Sequence, residues 1–110
     1  MRKLFLALTL VLPATVLISS ASFAQTKLEA TIFSYDGRDF VRTTTTLMQE
    51  GKSAANTKLD PNSAAYKALA QNHSYTGPST VFGQTYEGHY APVISDDGKL
   101  TGALFVGVPK

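Results

Sequence analysis

A small α+β domain on one antiparallel sheet is the fold class this sequence predicts, and three observations predict it. Short runs rich in β-branched and aromatic residues recur, separated by tight-turn dipeptides. One stretch alone, Ala64–Gln71, has helical composition and spacing. The chain closes on two long β-prone runs, Thr85–Ile94 and Leu100–Val108, joined by Asp96-Asp97-Gly98-Lys99. Strands joined by such turns run antiparallel, and one helix beside five of them makes an α+β arrangement.

Each element follows from local chemistry. Ala30–Tyr35 (ATIFSY) is β-prone and stops at Asp36-Gly37, a strong turn dipeptide. Arg38–Met48 (RDFVRTTTTLM) is rich in β-branched residues and pairs with it as a hairpin. Gln49-Glu50-Gly51-Lys52 reads as a turn or loop. Asp60 then offers a cap, Pro61 suits a first helical position, and Ala, Leu, Lys and Gln carry the helix through Gln71. Tyr66, Leu69 and Ala70 fall on one face of it. Asn72-His73-Ser74 ends the helix, and Tyr75–Phe82 is a further strand interrupted by Gly77-Pro78. The predicted order is strand, strand, helix, strand, strand, strand, with the helix between strands 2 and 3.

The beginning of the chain reads as a secretory leader. Arg2 and Lys3 precede an uncharged run, Leu4–Ile18, and Ser22 and Ala24 stand at the small-residue positions before Gln25. Residues 1–24 are therefore expected to be a signal peptide and residues 25–110 the mature domain, periplasmic or secreted. An uncleaved anchor is the alternative, since Leu4–Ala24 reaches the roughly 20 residues a span needs. The whole chain has 10 Lys and Arg against 8 Asp and Glu. Arg2 and Lys3 leave with the leader, which balances the mature domain and removes electrostatic support for a nucleic-acid partner. With 0 cysteines, neither disulfides nor thiolate metal sites are available.

The segments DFVRTTTTL at 39–47, LDPNSAAYKAL at 59–69, YTGPSTVFGQTYEGHYAPV at 75–93 and DGKLTGALFVGV at 97–108 together resemble the Cache family of bacterial extracytoplasmic sensor domains, the single-Cache kind that fuses types 3 and 2. The resemblance implies a PAS-like core and capture of a small organic ligand, often a carboxylate or amino acid, between the sheet and its overlying helix and loops. Such domains feed chemoreceptors, histidine kinases and cyclases. They normally start with a long helix along one sheet face and lead into an output module. Neither is expected here, where Gln25–Glu29 alone separates the leader from the first strand. The last strand has apolar residues on both faces: Leu100, Leu104, Val106 and Val108 on one, Ala103 and Phe105 on the other. One short helix covers one face, so the other is expected to meet a homodimer partner or a membrane receptor.

The candidate ligand-binding residues are Arg42, Thr44, Tyr75, Tyr86 and His89. A mid-strand arginine can hold a carboxylate through two parallel hydrogen bonds, although an exposed strand arginine is the commoner fate. Thr44 and Thr46 share its face at period two and bring hydroxyls, or serve β-propensity alone. Tyr75, Tyr86, His89 and Tyr90 offer aromatic walls with polar tips. His89 and Tyr90 point to opposite faces, so only one of them joins Tyr86. Gly88 marks either a bulge or a close approach by a ligand, and Gly83 a turn. No G-x-S-x-G context, triad, paired carboxylates or metal-ligand spacing is present, so neither an enzyme nor a cofactor is expected.

Overall fold

The structure, a computed structural model, describes residues 27–110, so the predicted leader and its cleavage point lie outside the described residues. The elements are β1 (Glu29–Tyr35), β2 (Phe40–Thr45), β3 (Met48–Gln49), β4 (Lys52–Ser53), α1 (Ala64–Ala70), β5 (Tyr75–Val81), β6 (Gln84–Ile94) and β7 (Leu100–Pro109). Five strands form one antiparallel sheet in the order β2-β1-β7-β6-β5. The closing strand thus sits in the middle, hydrogen-bonded along both edges to β1 and β6.

Several expectations need correction. The helix follows β4 rather than coming directly between the second and third strands. The predicted loop at Gln49–Lys52 is a small hairpin in which Met48 pairs with Ser53 and Gln49 with Lys52. Its turn, Glu50-Gly51, has positive φ at both residues (52° and 81°), the signature of a two-residue hairpin turn. Asp60 is not the helix cap. Ser63 Oγ accepts the Tyr66 N–H at 3.1 Å, while Asp60 Oδ1 accepts from Asn62 N–H at 2.9 Å in a turn before the helix. Gly77-Pro78 does not interrupt its strand: pairing runs unbroken from Tyr75–Tyr90 to Val81–Gln84. The strand lies at the sheet edge, where a missing N–H is tolerated.

Two irregularities decide which side chains face the core. Thr43 is an extra residue in β2, because Ile32 pairs with Thr44 but Phe33 with Arg42. An extra residue reverses the alternation of faces. A second slip falls between Val93 and Ile94, paired with Gly102 and Leu100. Leu100 consequently packs against the core instead of joining Leu104 and Val106.

The covered face holds Phe33, Phe40, Tyr86, Tyr90 and Phe105 from the sheet, with Leu47, Ala54 and Leu59 from the connecting segment and Ala65 and Leu69 from α1. Aromatic rings stack through it: Tyr90 and Phe105 have centroids 4.8 Å apart, and Phe33 meets Phe40 edge-on at 6.3 Å. Gly77, Gly88 and Gly107 pair in one row across β5, β6 and β7. A Cβ on Gly107 would stand 2.4 Å from the Phe105 ring, and one on Gly88 3.2 Å from the Phe105 and Tyr90 rings. The glycines make room for rings from the adjacent row, and Gly88 is regularly paired on both sides rather than a bulge. Across the sheet, Ile32, Leu104 and Val106 are exposed to 50%, 46% and 44% among the described residues. No helix among the described residues is long and apolar enough to cross a membrane.

Candidate functional site

Arg42 stands where a charge is costly. Its neighbours Val41 and Phe40 are strand formers, and the Thr43 bulge leaves Arg42 on the covered face, 3% exposed. The chain after β4 folds back along β2 and walls it in. Arg42 N–H donates to Thr57 O at 2.8 Å, Asn56 N–H to Arg42 O at 2.6 Å, and Leu59 N–H to Phe40 O at 2.9 Å. The guanidinium lies between two rings, its carbon 5.3 Å from the centroid of Phe33 and 5.1 Å from that of Phe82. Such cation–π contacts offset part of the desolvation. Burial nevertheless pulls its pKa below the usual arginine value, with Tyr90 opposing the shift.

The hydrogen bonds of Arg42 are lopsided. Nη1 donates to Thr57 Oγ1 and to Lys58 O, both at 3.0 Å. Nε is buried with no acceptor, and no ion pair to Arg42 forms among the described residues. A guanidinium presents five N–H groups. The edge formed by Nε and Nη2, which matches a carboxylate side-on, has no acceptor among the described residues. A buried arginine in this state is either costly or awaiting an anion.

A cavity of about 230 Å³ opens beside Arg42, lined also by Lys58, Asp60, Ser63, Ser79 and Phe82. An adjoining space of about 250 Å³ shares Asp60, Ser63 and Ser79 with it and adds Tyr75 and Pro78. The polar groups around these spaces differ in what they have left to offer. Ser63 is committed, donating to Asp60 O at 2.6 Å and accepting from Tyr66. Tyr75 donates to Pro78 O at 2.8 Å. Ser79 and Tyr90 share one hydrogen bond of 2.8 Å, which leaves one hydroxyl proton of the pair for another acceptor. Burial pushes the Tyr90 hydroxyl up in pKa, while the Ser79 bond and Arg42 pull the other way. Tyr90 therefore stays a neutral donor.

The sequence candidates separate in space. Arg42 and Tyr75 line these neighbouring cavities. Thr44 is exposed on the opposite face, beyond the bulge, and pairs with Ile32. Thr46 serves the sheet edge instead: its Oγ1 donates to Glu29 Oε1 at 2.6 Å and accepts from Ala30 N–H at 2.9 Å. Tyr86 is buried on the covered face, edge-on to Phe105 at 6.2 Å, and lines neither cavity. Burial first, then Glu29, raises its pKa. His89 is exposed on the open face, with Nδ1 3.4 Å from Thr76 Oγ1. Sequence reasoning missed Lys58, Ser79 and Phe82. Ser79 carried a faint signal, standing at period two from Tyr75. Phe82 carried a better one, as an aromatic immediately before a turn glycine.

Among the described residues no group of three or more His, Asp or Glu side chains is placed to hold a metal ion. Chemically, the arrangement offers recognition: a buried cation with an unused donor edge, a hydroxyl pair and aromatic walls. No curated protein and no solved structure matches the chain at a significant level. A family description does match, the Cache 3/Cache 2 fusion domain, over residues 23–110. That span takes in every strand of the sheet, the helix and both cavities, and the chain belongs to the Cache 3/Cache 2 fusion family of sensor-type ligand-binding domains.

Proposed function

We propose that this domain binds a small monocarboxylate through Arg42, outside the cytoplasm after removal of residues 1–24, and passes occupancy to a partner. One observation carries the reading: Arg42 is buried, unpaired, and has the carboxylate-matching edge of its guanidinium unused. The Ser79–Tyr90 hydroxyl pair supplies a further donor. A cavity of about 230 Å³ limits the ligand's size, since a water takes roughly 30 Å³. Lys58, which shares the cavity lining, is engaged by Asp39 at 3.3 Å, so Asp60 disfavours a second negative charge on the ligand, and an amino acid's ammonium group would meet it favourably. Thermal melting in the presence of acetate, propionate, lactate, alanine and succinate tests this, because a ligand that binds only the folded state raises Tm. The monocarboxylates should raise it, and succinate should raise it less. A flat response across the panel would remove the proposal.

A second reading has its own observation. Ile32, Leu104 and Val106 present a contiguous apolar surface on the open face, around a depression of about 300 Å³. This fits a docking module that pairs with a second copy or a receptor. Leu104→Glu should then abolish self-association in sedimentation experiments while leaving the carboxylate response intact. Loss of both together would argue that the two faces are not separable.

A further inference from the structure

We infer that Phe82 determines access and selectivity at the Arg42 site: its ring closes the guanidinium off from water, and a left-handed backbone places it there. This deepens the carboxylate reading and rests on it. Val81 and Gln84 are the last paired residues of the β5–β6 hairpin, which leaves Phe82-Gly83 as a two-residue turn. Both have positive φ, 49° and 79°. Turns of this kind favour Asn, Asp or Gly at the first position, and a bulky aromatic is disfavoured there. The conformation alone singles out nothing, because Glu50 occupies the same position in the β3–β4 hairpin with its side chain exposed. The difference is what the side chain touches. The Phe82 ring lies over Arg42 at 5.1 Å and lines the cavity.

The two rings that flank Arg42 are not equivalent. Phe33 is 3% exposed and locked in the core, whereas Phe82 is 39% exposed at the tip of an edge hairpin. Phe33 is a fixed floor and Phe82 a movable cover. Nε is buried with no acceptor, and on this inference the Phe82 ring is what a carboxylate displaces to reach the Nε–Nη2 edge. Once seated, the anion is covered by the ring, where the loss of water strengthens its bond to the guanidinium. The ring also presents an apolar wall, which favours an alkyl tail over a second polar group.

Two substitutions test this with the full chain. Phe82→Asn suits the turn and removes the ring, so the fold is retained. Phe82→Trp keeps a ring over the cation and introduces the sole tryptophan of a sequence that has 0. By calorimetry with acetate and propionate, Phe82→Asn should weaken binding several-fold, because the seated anion would then stay exposed to water, and narrow the preference for propionate. Phe82→Trp should bind like the parent and change its emission as acetate is added. Modification of Arg42 by phenylglyoxal, followed by mass spectrometry without any ligand, should be several-fold faster in Phe82→Asn than in the parent. Equal modification rates in parent and Phe82→Asn would overturn the inference whatever the binding result. If the parent binds none of the carboxylates but Arg42 becomes more reactive in Phe82→Asn, the carboxylate reading fails and the closure by Phe82 stands. Unchanged acetate and propionate affinity in Phe82→Asn would overturn its role in selectivity.

Discussion

Phe105 and Leu104 are neighbours in one central strand and live in different worlds. Phe105 is 2% exposed, packed on Tyr90 and Tyr86 and filling the space above Gly88 and Gly107. Leu104 is 46% exposed on a surface shared with Ile32 and Val106. Both residues are large and apolar, so composition does not separate them. The covered face has a helix, a looped wall and a buried cation; among the described residues no further element covers the open face. The contrast teaches that the domain's stability and its candidate recognition chemistry are concentrated on one side. The other side carries exposed apolar side chains among the described residues.

The sharpest way to break this comparison is alanine on each side of the strand. Phe105→Ala should cost about 3–5 kcal/mol, as deletion of a buried aromatic does, with the glycine row left uncovered. Leu104→Ala should cost less than about 1 kcal/mol. Urea denaturation of both variants checks the pair, and similar losses would mean that the open face is covered in solution.

Next in size is the split across the Thr43 bulge. Arg42→Ala should lower carboxylate affinity by roughly 10- to 100-fold, the worth of hydrogen bonds to a charged group. Thr44→Ala, on the opposite face, should leave affinity unchanged. Isothermal titration with propionate measures both, and full affinity in Arg42→Ala would eliminate the anchor.

A smaller effect concerns the cover itself. Ser63→Ala removes the cap of α1 and should cost about 1 kcal/mol in thermal unfolding. Asp60→Ala should cost less, since Asp60 Oδ1 supports only a turn. The reverse ranking would restore Asp60 as the cap.

The smallest effect is alkaline. Burial raises the Tyr90 and Tyr86 hydroxyls above their ordinary value of 10.0. Above that value an unfolded chain sheds tyrosine protons that the folded chain still holds. Stability from these groups is thus fully present below about pH 10 and falls as pH rises through the folded-state pKa values. Melting measured from neutral pH upward should show that decline. Tyr90→Phe should flatten part of it and leave the contribution of Tyr86, whereas an unchanged slope would mean that Tyr90 titrates normally.

Much of this architecture could be read from the chain because its signals are local. Asp36-Gly37, the alternating runs and the single Ala-rich segment dictate strands, turns and a helix without reference to distant residues. The small β3–β4 hairpin escaped because two residues per strand carry no period. The helix cap was misplaced because Asp60 and Ser63 are both competent caps, and only the backbone geometry chooses between them. Thr43–Thr46 hid the bulge for a related reason. In a run of identical β-branched residues every register looks alike, so the partner strand decides where the extra residue goes. Arg42 was legible as an arginine among β-branched neighbours, but its company was not. Phe33 arrives from β1, Thr57 and Lys58 from the returning segment, and Phe82 from the far hairpin.

The sequence by itself determined the five strands of the main sheet, the single helix, most of the turns and the presence of one arginine inside a strand. Those properties depend on residues a few positions apart. Only the tertiary structure decided which face each residue occupies beyond a bulge, which face is covered, and what surrounds the guanidinium. Alternation along a strand states that neighbours point opposite ways, never which way is inward. That choice belongs to pairing and packing between segments far apart in the chain.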